Sequence, residues 1–146
     1  MRRLNIGSGP YPKPDYVNID VNRRWNPDVT RDVRKGLPYD NSSVDEIMAT
    51  HFLEHLSQEE VIDFLGECYR VLKPDCTLFL GMPLGIAGPL EHKTFYTEHS
   101  FDTLLQPDAA DYYRQDFRWE LVSQTVEQDC PDWCEGTLLV VLRALK

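Results

Sequence analysis

The chain has 146 residues, 42% of them hydrophobic and 27% charged, with a formal net charge of −9. That length suits one domain spanning residues 1–146 with a real core, and its short apolar runs exclude a membrane span, which needs roughly 20 residues. The acidic balance disfavours broad electrostatic binding of duplex nucleic acid.

The charge is unevenly placed. Residues 1–35 hold eight Lys/Arg against four Asp/Glu, and the remainder hold seven against twenty. This reads either as an ordinary solvated surface or as a positive rim facing an anionic acceptor. The start, MRRLNIGSG, enters a strand with no signal-peptide core, so a cytoplasmic location is expected.

In chain order, strands are expected at Arg3–Ile6, Tyr16–Asp20, around Asp28–Arg31, at Glu46–Thr50 and at Cys76–Met82. Gly7-Ser8-Gly9 follows the first strand, and prolines at 10, 12 and 14 fill the place where a crossover helix would begin. Ser57-Gln58-Glu59-Glu60 is a capping box opening a helix whose apolar stripe runs Val61, Leu65, Cys68 and Leu72, with Ile62 and Tyr69 beside it. Pro74 stops that helix. Residues Met82 to Pro89 read as an apolar connection able to act as a lid or an acceptor wall. A second helix is expected from Thr97 through Phe101, Leu104 and Leu105, ending before Pro107.

Two β-rich runs, Arg118–Val126 and Thr137–Ala144, close the chain, with DCPDWCEG as a hairpin connection between them. The expected fold class is therefore α/β: a Rossmann-like, mostly parallel sheet with an antiparallel C-terminal strand, in a reduced form lacking the first crossover helix. Cysteines at 68, 76, 130 and 134 show no spacing that completes a zinc set. They read as buried or idle thiols, and no metal is expected.

A strand, a glycine turn and an acid ending the second strand form the skeleton of a nucleotide-type site. A pyrophosphate wants a helix N-terminus directly after the glycines, and here Pro10 follows Gly9. A nicotinamide dinucleotide is accordingly the weaker expectation. S-adenosylmethionine, with ribose and adenine but no phosphate, escapes the objection. Its carboxylate could be held by loop amides near Gly7 and Gly9, and Asp20 could accept from two ribose hydroxyls.

Later segments add a resemblance. TRDVRKGLPYDNSSVDEIMATHFLEHL, followed by ECYRVLKPDCTLFLGMP, resembles the class I S-adenosylmethionine-dependent methyltransferases. The nearest likeness is to the short predicted methyltransferases related to the type-11 family. LNIGSGP matches the family's first loop, Leu53 to Leu56 its LEHL turn, Arg70 to Pro74 its RVLKP helix end, and EHKTFYTEHSFDTLL a later segment. The resemblance covers about residues 4 to 106. Asp75-Cys76 stands where the family has two glycines, and the helices that usually cover the cofactor are missing.

The resemblance implies a small methyltransferase acting on oxygen or nitrogen, with S-adenosylmethionine as cofactor. It places Asn5, Gly7, Ser8 and Gly9 of the loop, Asp20 and Val21, Asp32 and Val33 of the adenine pocket, and Thr50 and His51 against that cofactor. His51, Glu54, His55 and His92 lie on the loops after the fourth and fifth strands and are the candidate proton acceptors. A backbone-satisfied structural role is the competing reading for each histidine. Phe95 and Tyr96 could stack on the adenine or on an aromatic acceptor, with a core role as the competing reading. The acceptor is expected to be a small molecule or a saccharide-type compound. A homodimer or a partner protein is left open, as is a non-catalytic module that keeps the fold as a subunit or scaffold.

Overall fold

The structure is a computed structural model that describes residues 1–85, 88–128 and 134–146. Seven strands form one sheet: β1 (Arg3–Ile6), β2 (Val17–Asp20), β3 (Val29–Thr30), β4 (Val44–Thr50), β5 (Leu72–Leu84), β6 (Trp119–Glu127) and β7 (Gly136–Ala144). Their order is β3-β2-β1-β4-β5-β7-β6. Neighbours from β3 to β5 pair in parallel, whereas β7 runs antiparallel to both β5 and β6. Chain order leads outward from β1 to β3 and then returns to β4 on the other side of β1. That reversal is a topological switch point, where open α/β sheets take ligands at the carboxyl ends of their strands.

Residues 7–16 join β1 to β2 without a helix, as the prolines require. Polar ties replace helix packing there. Asn5 on β1 is buried, and its Nδ2 donates to Oδ1 of its register partner Asn18 at 2.9 Å. Asn18 Oδ1 also accepts from the Lys13 amide at 2.7 Å, while its Nδ2 donates to the Lys13 carbonyl at 3.2 Å. Asp28 Oδ2 accepts from the Asn18 amide at 2.8 Å and from Nδ2 at 3.0 Å, bonds that hold its carboxyl below the usual range. The proline loop is thus clamped onto the sheet edge by one asparagine.

Helix α1 (Gln58–Val71) opens on both halves of the capping box: Ser57 Oγ accepts from the Glu60 amide, and Glu60 Oε2 from the Ser57 amide. It buries Val61, Phe64, Leu65, Cys68 and Val71. Under it lie Leu78 and Leu80 of β5, with Leu138, Val140 and Leu142 of β7 in the same core cluster. Alternate residues point to the other face of the sheet. There Met48, Phe79 and Val141, partners in register, stay only half-buried.

Three expectations change. Helix α1 ends at Val71, and Pro74 lies inside β5 rather than directly at the stop. Val44 pairs with Leu72 and Glu46 with Thr77, so residues 73–76 bulge opposite Asp45, with Asp75 at φ 60° and Lys73 bridging to Asp45 at 2.7 Å. The segment from Met82 to Leu84 belongs to β5 and is not a connection; Ile86 and Ala87 lie outside the described residues.

The third change concerns Thr97 to Leu105, which is a run of turns ending in one 3-10 turn at Thr103–Leu105 and not an α-helix. The turns close by short i→i−3 bonds, from the Ser100 amide to the Thr97 carbonyl at 3.1 Å, from Asp102 to His99 at 3.1 Å and from Gln106 to Thr103 at 3.2 Å, so no α-helical ladder is built. The five-residue helix α2 (Ala109–Tyr113) follows Pro107 instead. The β6–β7 hairpin pairs Glu127 with Thr137 as expected, while Cys130 and most of its loop lie outside the described residues. Cys68 is a buried free thiol and Cys76 a half-buried one. Among the described residues, no helix is long and apolar enough to cross a membrane.

Candidate functional site

A cavity of about 370 Å³ opens at the carboxyl ends of β1, β2 and β4, at the switch point. It is lined by Gly7, Gly9, Ile19, Asp20, Val21, Arg31, Asp32, Val33, Arg34, His51, Phe52, His55 and Leu56. Its volume falls in the range of small-molecule sites, about 300–1,000 Å³.

The glycine loop makes its floor. Gly7 and Gly9 have φ of +65° and +50°, a left-handed backbone that side chains disfavour. A Cβ on Gly7 would stand 2.6 Å from Phe52 Cδ2, whereas one on Gly9 would meet nothing within 4 Å. Gly7 therefore lets Phe52 close in, and Gly9 leaves open space.

The loop's own bonds differ from what a carboxylate cradle would need. The amides of Gly7 and Ser8 both donate to the Ile19 carbonyl, at 2.9 and 3.2 Å. The Gly9 amide donates to Asp20 Oδ2 at 2.9 Å, and the Asn22 amide to Asp20 Oδ1 at 2.7 Å. All three loop amides are thus engaged within the protein. Each Asp20 oxygen has accepted one bond and retains a second lone pair.

Across the cavity, Asp32 caps the 3-10 turn Val33–Lys35 and is gripped by the Arg34 guanidinium. Arg34 Nε meets Oδ1 at 2.8 Å and Nη2 meets Oδ2 at 2.9 Å. This pair holds the Asp32 carboxyl below its ordinary range. Arg34 Nη1 also reaches Glu60 at 3.3 Å, tying the pocket edge to the start of α1. Arg31 bonds the carbonyls of Lys35 and Gly36, at 3.0 and 2.6 Å.

The third wall follows β4. His51 takes φ +50° and donates its amide to the Gly81 carbonyl at 2.8 Å, which turns the chain away from the sheet. Its Nδ1 lies 3.6 Å from Glu54 Oε1. Glu54 raises the His51 pKa against an opposing effect of burial. Glu54 itself is buried in the 3-10 turn Leu53–His55. The rings of His55 and His92 meet edge to face, 5.1 Å between centroids. Tyr96 is buried, bonded to Thr94 Oγ1 at 3.0 Å, and its phenol is pushed up to about 12 chiefly by burial.

Comparison with known proteins agrees with this geometry. A family model described as a methyltransferase domain matches residues 14–80. The chain has the fold of class I methyltransferases. Among solved structures, an S-adenosylmethionine-dependent methyltransferase from Archaeoglobus fulgidus superposes with a TM-score of 0.67 at 16% identity, covering 98% of this chain and 86% of that one. The Burkholderia thailandensis 1,6-didemethyltoxoflavin N1-methyltransferase, solved with its acceptor and S-adenosylhomocysteine, gives 0.67 at 14%, covering 99% and 71%. A Haloferax volcanii protein in complex with the Trm112 methyltransferase activator gives 0.67 at 15%, covering 99% and 82%. No curated protein sequence matches the chain.

Within this methyltransferase-like fold, seven of the residues expected at the cofactor gather on the cavity: Gly7, Gly9, Asp20, Val21, Asp32, Val33 and His51. Asn5, Ser8 and Thr50 do not line it. Asn5 is spent on Asn18, the Ser8 side chain is buried, and Thr50 packs over Gly81, 3.1 Å from where a Cβ would stand. Of the expected proton acceptors, His51 and His55 line the cavity, while Glu54 sits beneath them and His92 beside His55. Ile19, Arg31, Arg34, Phe52 and Leu56 were not singled out by sequence. The signal available was position alone, since each is a near neighbour in sequence of a residue that was.

Proposed function

We propose that the protein transfers a methyl group from S-adenosylmethionine to an oxygen or nitrogen atom of a small-molecule or saccharide-type acceptor. The observation that carries this reading is the switch-point cavity with Asp20 on its floor, two carboxylate oxygens each keeping a lone pair beside the open space at Gly9. Such a carboxylate suits a pair of ribose hydroxyls. Ile19, Val21, Val33, Phe52 and Leu56 supply apolar walls for a flat base.

When bound, S-adenosylmethionine supplies an electrophilic methyl group on a sulfonium. The protein's part is to align and to deprotonate. Asp20 fixes the ribose, and the apolar walls fix the base, so that the acceptor meets the methyl group in line. His51, on the cavity wall and backed by Glu54, receives the proton of an acceptor hydroxyl or ammonium at its exposed ring edge. In the methyltransferase solved with didemethyltoxoflavin the acceptor is a small molecule, which supports this acceptor class.

The test is calorimetric titration with S-adenosylmethionine and S-adenosylhomocysteine, with NAD as competitor. Saturable binding of both sulfur nucleosides, undisturbed by NAD, is expected; no detectable binding of either sinks the proposal. His51→Ala should bind the cofactor normally and lose methyl transfer.

A further inference from the structure

Beneath the cavity wall lies a carboxylate with an unmet demand. Glu54 is 1% exposed, yet its Oε2 finds no hydrogen-bond partner among the described residues. Its Oε1 faces His51 at 3.6 Å, longer than a good hydrogen bond. An ionised group buried so deeply costs several kcal/mol unless a charge or donors compensate it. The turn that carries it is also held in place, because the Glu54 carbonyl accepts from the amides of Lys93 and Thr94, at 2.7 and 3.3 Å. The Lys93 ammonium points elsewhere, 3.8 Å from Glu60.

Two imidazoles stand next to this carboxylate. One ligand atom from each of Glu54, His55 and His92 lies within 4.8 Å of the other two. The three come from two separate segments, the turn after β4 and the loop after β5. Ligands about 2.0–2.2 Å from a tetrahedral ion sit about 3.4 Å apart, so closure asks for movements of roughly 1 Å. One carboxylate with two imidazoles is a donor set for a divalent transition metal, and too nitrogen-rich for magnesium or calcium. The expectation of no metal rested on cysteine spacing and does not bear on this cluster.

We propose that Glu54, His55 and His92 form a three-ligand divalent transition-metal site, best suited to Zn2+, at the edge of the cofactor cavity. His55 belongs both to the cluster and to the cavity lining, so an ion held there would border the cavity. Resting on the methyltransferase reading above, the ion would bind an acceptor hydroxyl and lower its pKa, with the hydroxyl proton passing to His51. The alkoxide oxygen then attacks the methyl group as the carbon–sulfur bond breaks. Metal binding itself does not depend on that reading.

The experiment is to strip the protein with a chelator, then titrate Zn2+ by calorimetry near neutral pH and count bound ions by native mass spectrometry. One ion per chain is expected, with affinity falling about tenfold or more in Glu54→Gln and in His92→Ala. His99→Ala, on the exposed surface beside Asp102, should bind like the parent. Should Glu54→Gln fail to fold, His92→Ala decides alone. The site is overturned if the parent binds no Zn2+, if either folded variant binds undiminished, or if His99→Ala loses binding equally. S-adenosylmethionine titration on the same samples separates the readings. Zn2+ bound without cofactor leaves the site and removes the proposed function, and the converse removes only the site.

Discussion

Replacing Gly7 by alanine should damage the fold through one contact. At φ +65° an alanine pays the left-handed penalty of about 1–2 kcal/mol. Its Cβ must also displace Phe52, whose Cδ2, Cγ and Cβ would lie 2.6, 3.0 and 3.1 Å away. Overpacking of this kind costs about 1–3 kcal/mol. The sum is roughly 2–5 kcal/mol, or about 10 °C in Tm for a domain of this size. Gly9→Ala is the matched control, with φ +50° and no atom near its Cβ, so only the first cost applies. Urea and thermal unfolding of both variants give the comparison.

A double-mutant cycle isolates the cause. Phe52→Ala removes the ring atoms that Cβ meets, at the expense of its edge contact with Phe64, 5.2 Å between centroids. In that background Gly7→Ala should cost about 1–3 kcal/mol less than in the parent. If Gly7→Ala is no worse than Gly9→Ala, or the coupling is under about 0.5 kcal/mol, then close approach of Phe52 is not what position 7 serves.

Three further outcomes are expected. Asp20→Asn should weaken S-adenosylmethionine binding by about 10–100-fold in calorimetry, the loss of one or two bonds to a charged group, and unchanged affinity would remove Asp20 from the site. Arg34→Ala releases an exposed partner from Asp32 and should change that affinity by no more than about fivefold; a collapse of binding would instead make Arg34 a ligand contact. Glu67 is held below its ordinary pKa first by the Arg70 guanidinium and also by the Leu37 amide at 2.8 Å, against burial. A lowered folded pKa gives stability that is present above the ordinary value of about 4.3 and lost as pH falls through the folded value. Glu67→Gln should therefore cost about 1–2 kcal/mol at pH 7 in urea unfolding and much less near pH 3; an equal deficit at both would refute the assignment.

The sheet was legible because strand signals are local: short β-branched runs between prolines and glycines, each able to pair only as a strand. Helix α1 was legible because its capping box and stripe repeat the same message. Thr97 to Leu105 misled because aromatic and leucine spacing looks helical, while its turns close chiefly by short i→i−3 bonds and propagate no α-helix. Asn5 misled for a different reason. Its position beside the glycine loop suggested a ligand contact, and only the β1–β2 register reveals Asn18 as its partner. The Glu54, His55 and His92 cluster joins segments 37 residues apart in number, from His55 to His92, and no local pattern announces it.

The proline loop shows why the ligand class survives although the expected amide cradle does not. A helix N-terminus offers unpaired amides and a positive dipole end, which suit phosphate. Here the amides of Gly7 and Ser8 are consumed by the Ile19 carbonyl, and that of Gly9 by Asp20. An anion arriving at this loop would find a carboxylate already in the anion's place. Arg34 is committed to Asp32, and Arg31 to main-chain carbonyls. The local field therefore favours hydroxyl donors and a positive charge over phosphate, which is the chemistry of a sulfonium nucleoside. It also predicts that the amino-acid end of such a ligand must displace an internal bond or look beyond the loop, so affinity should come mainly from the nucleoside half.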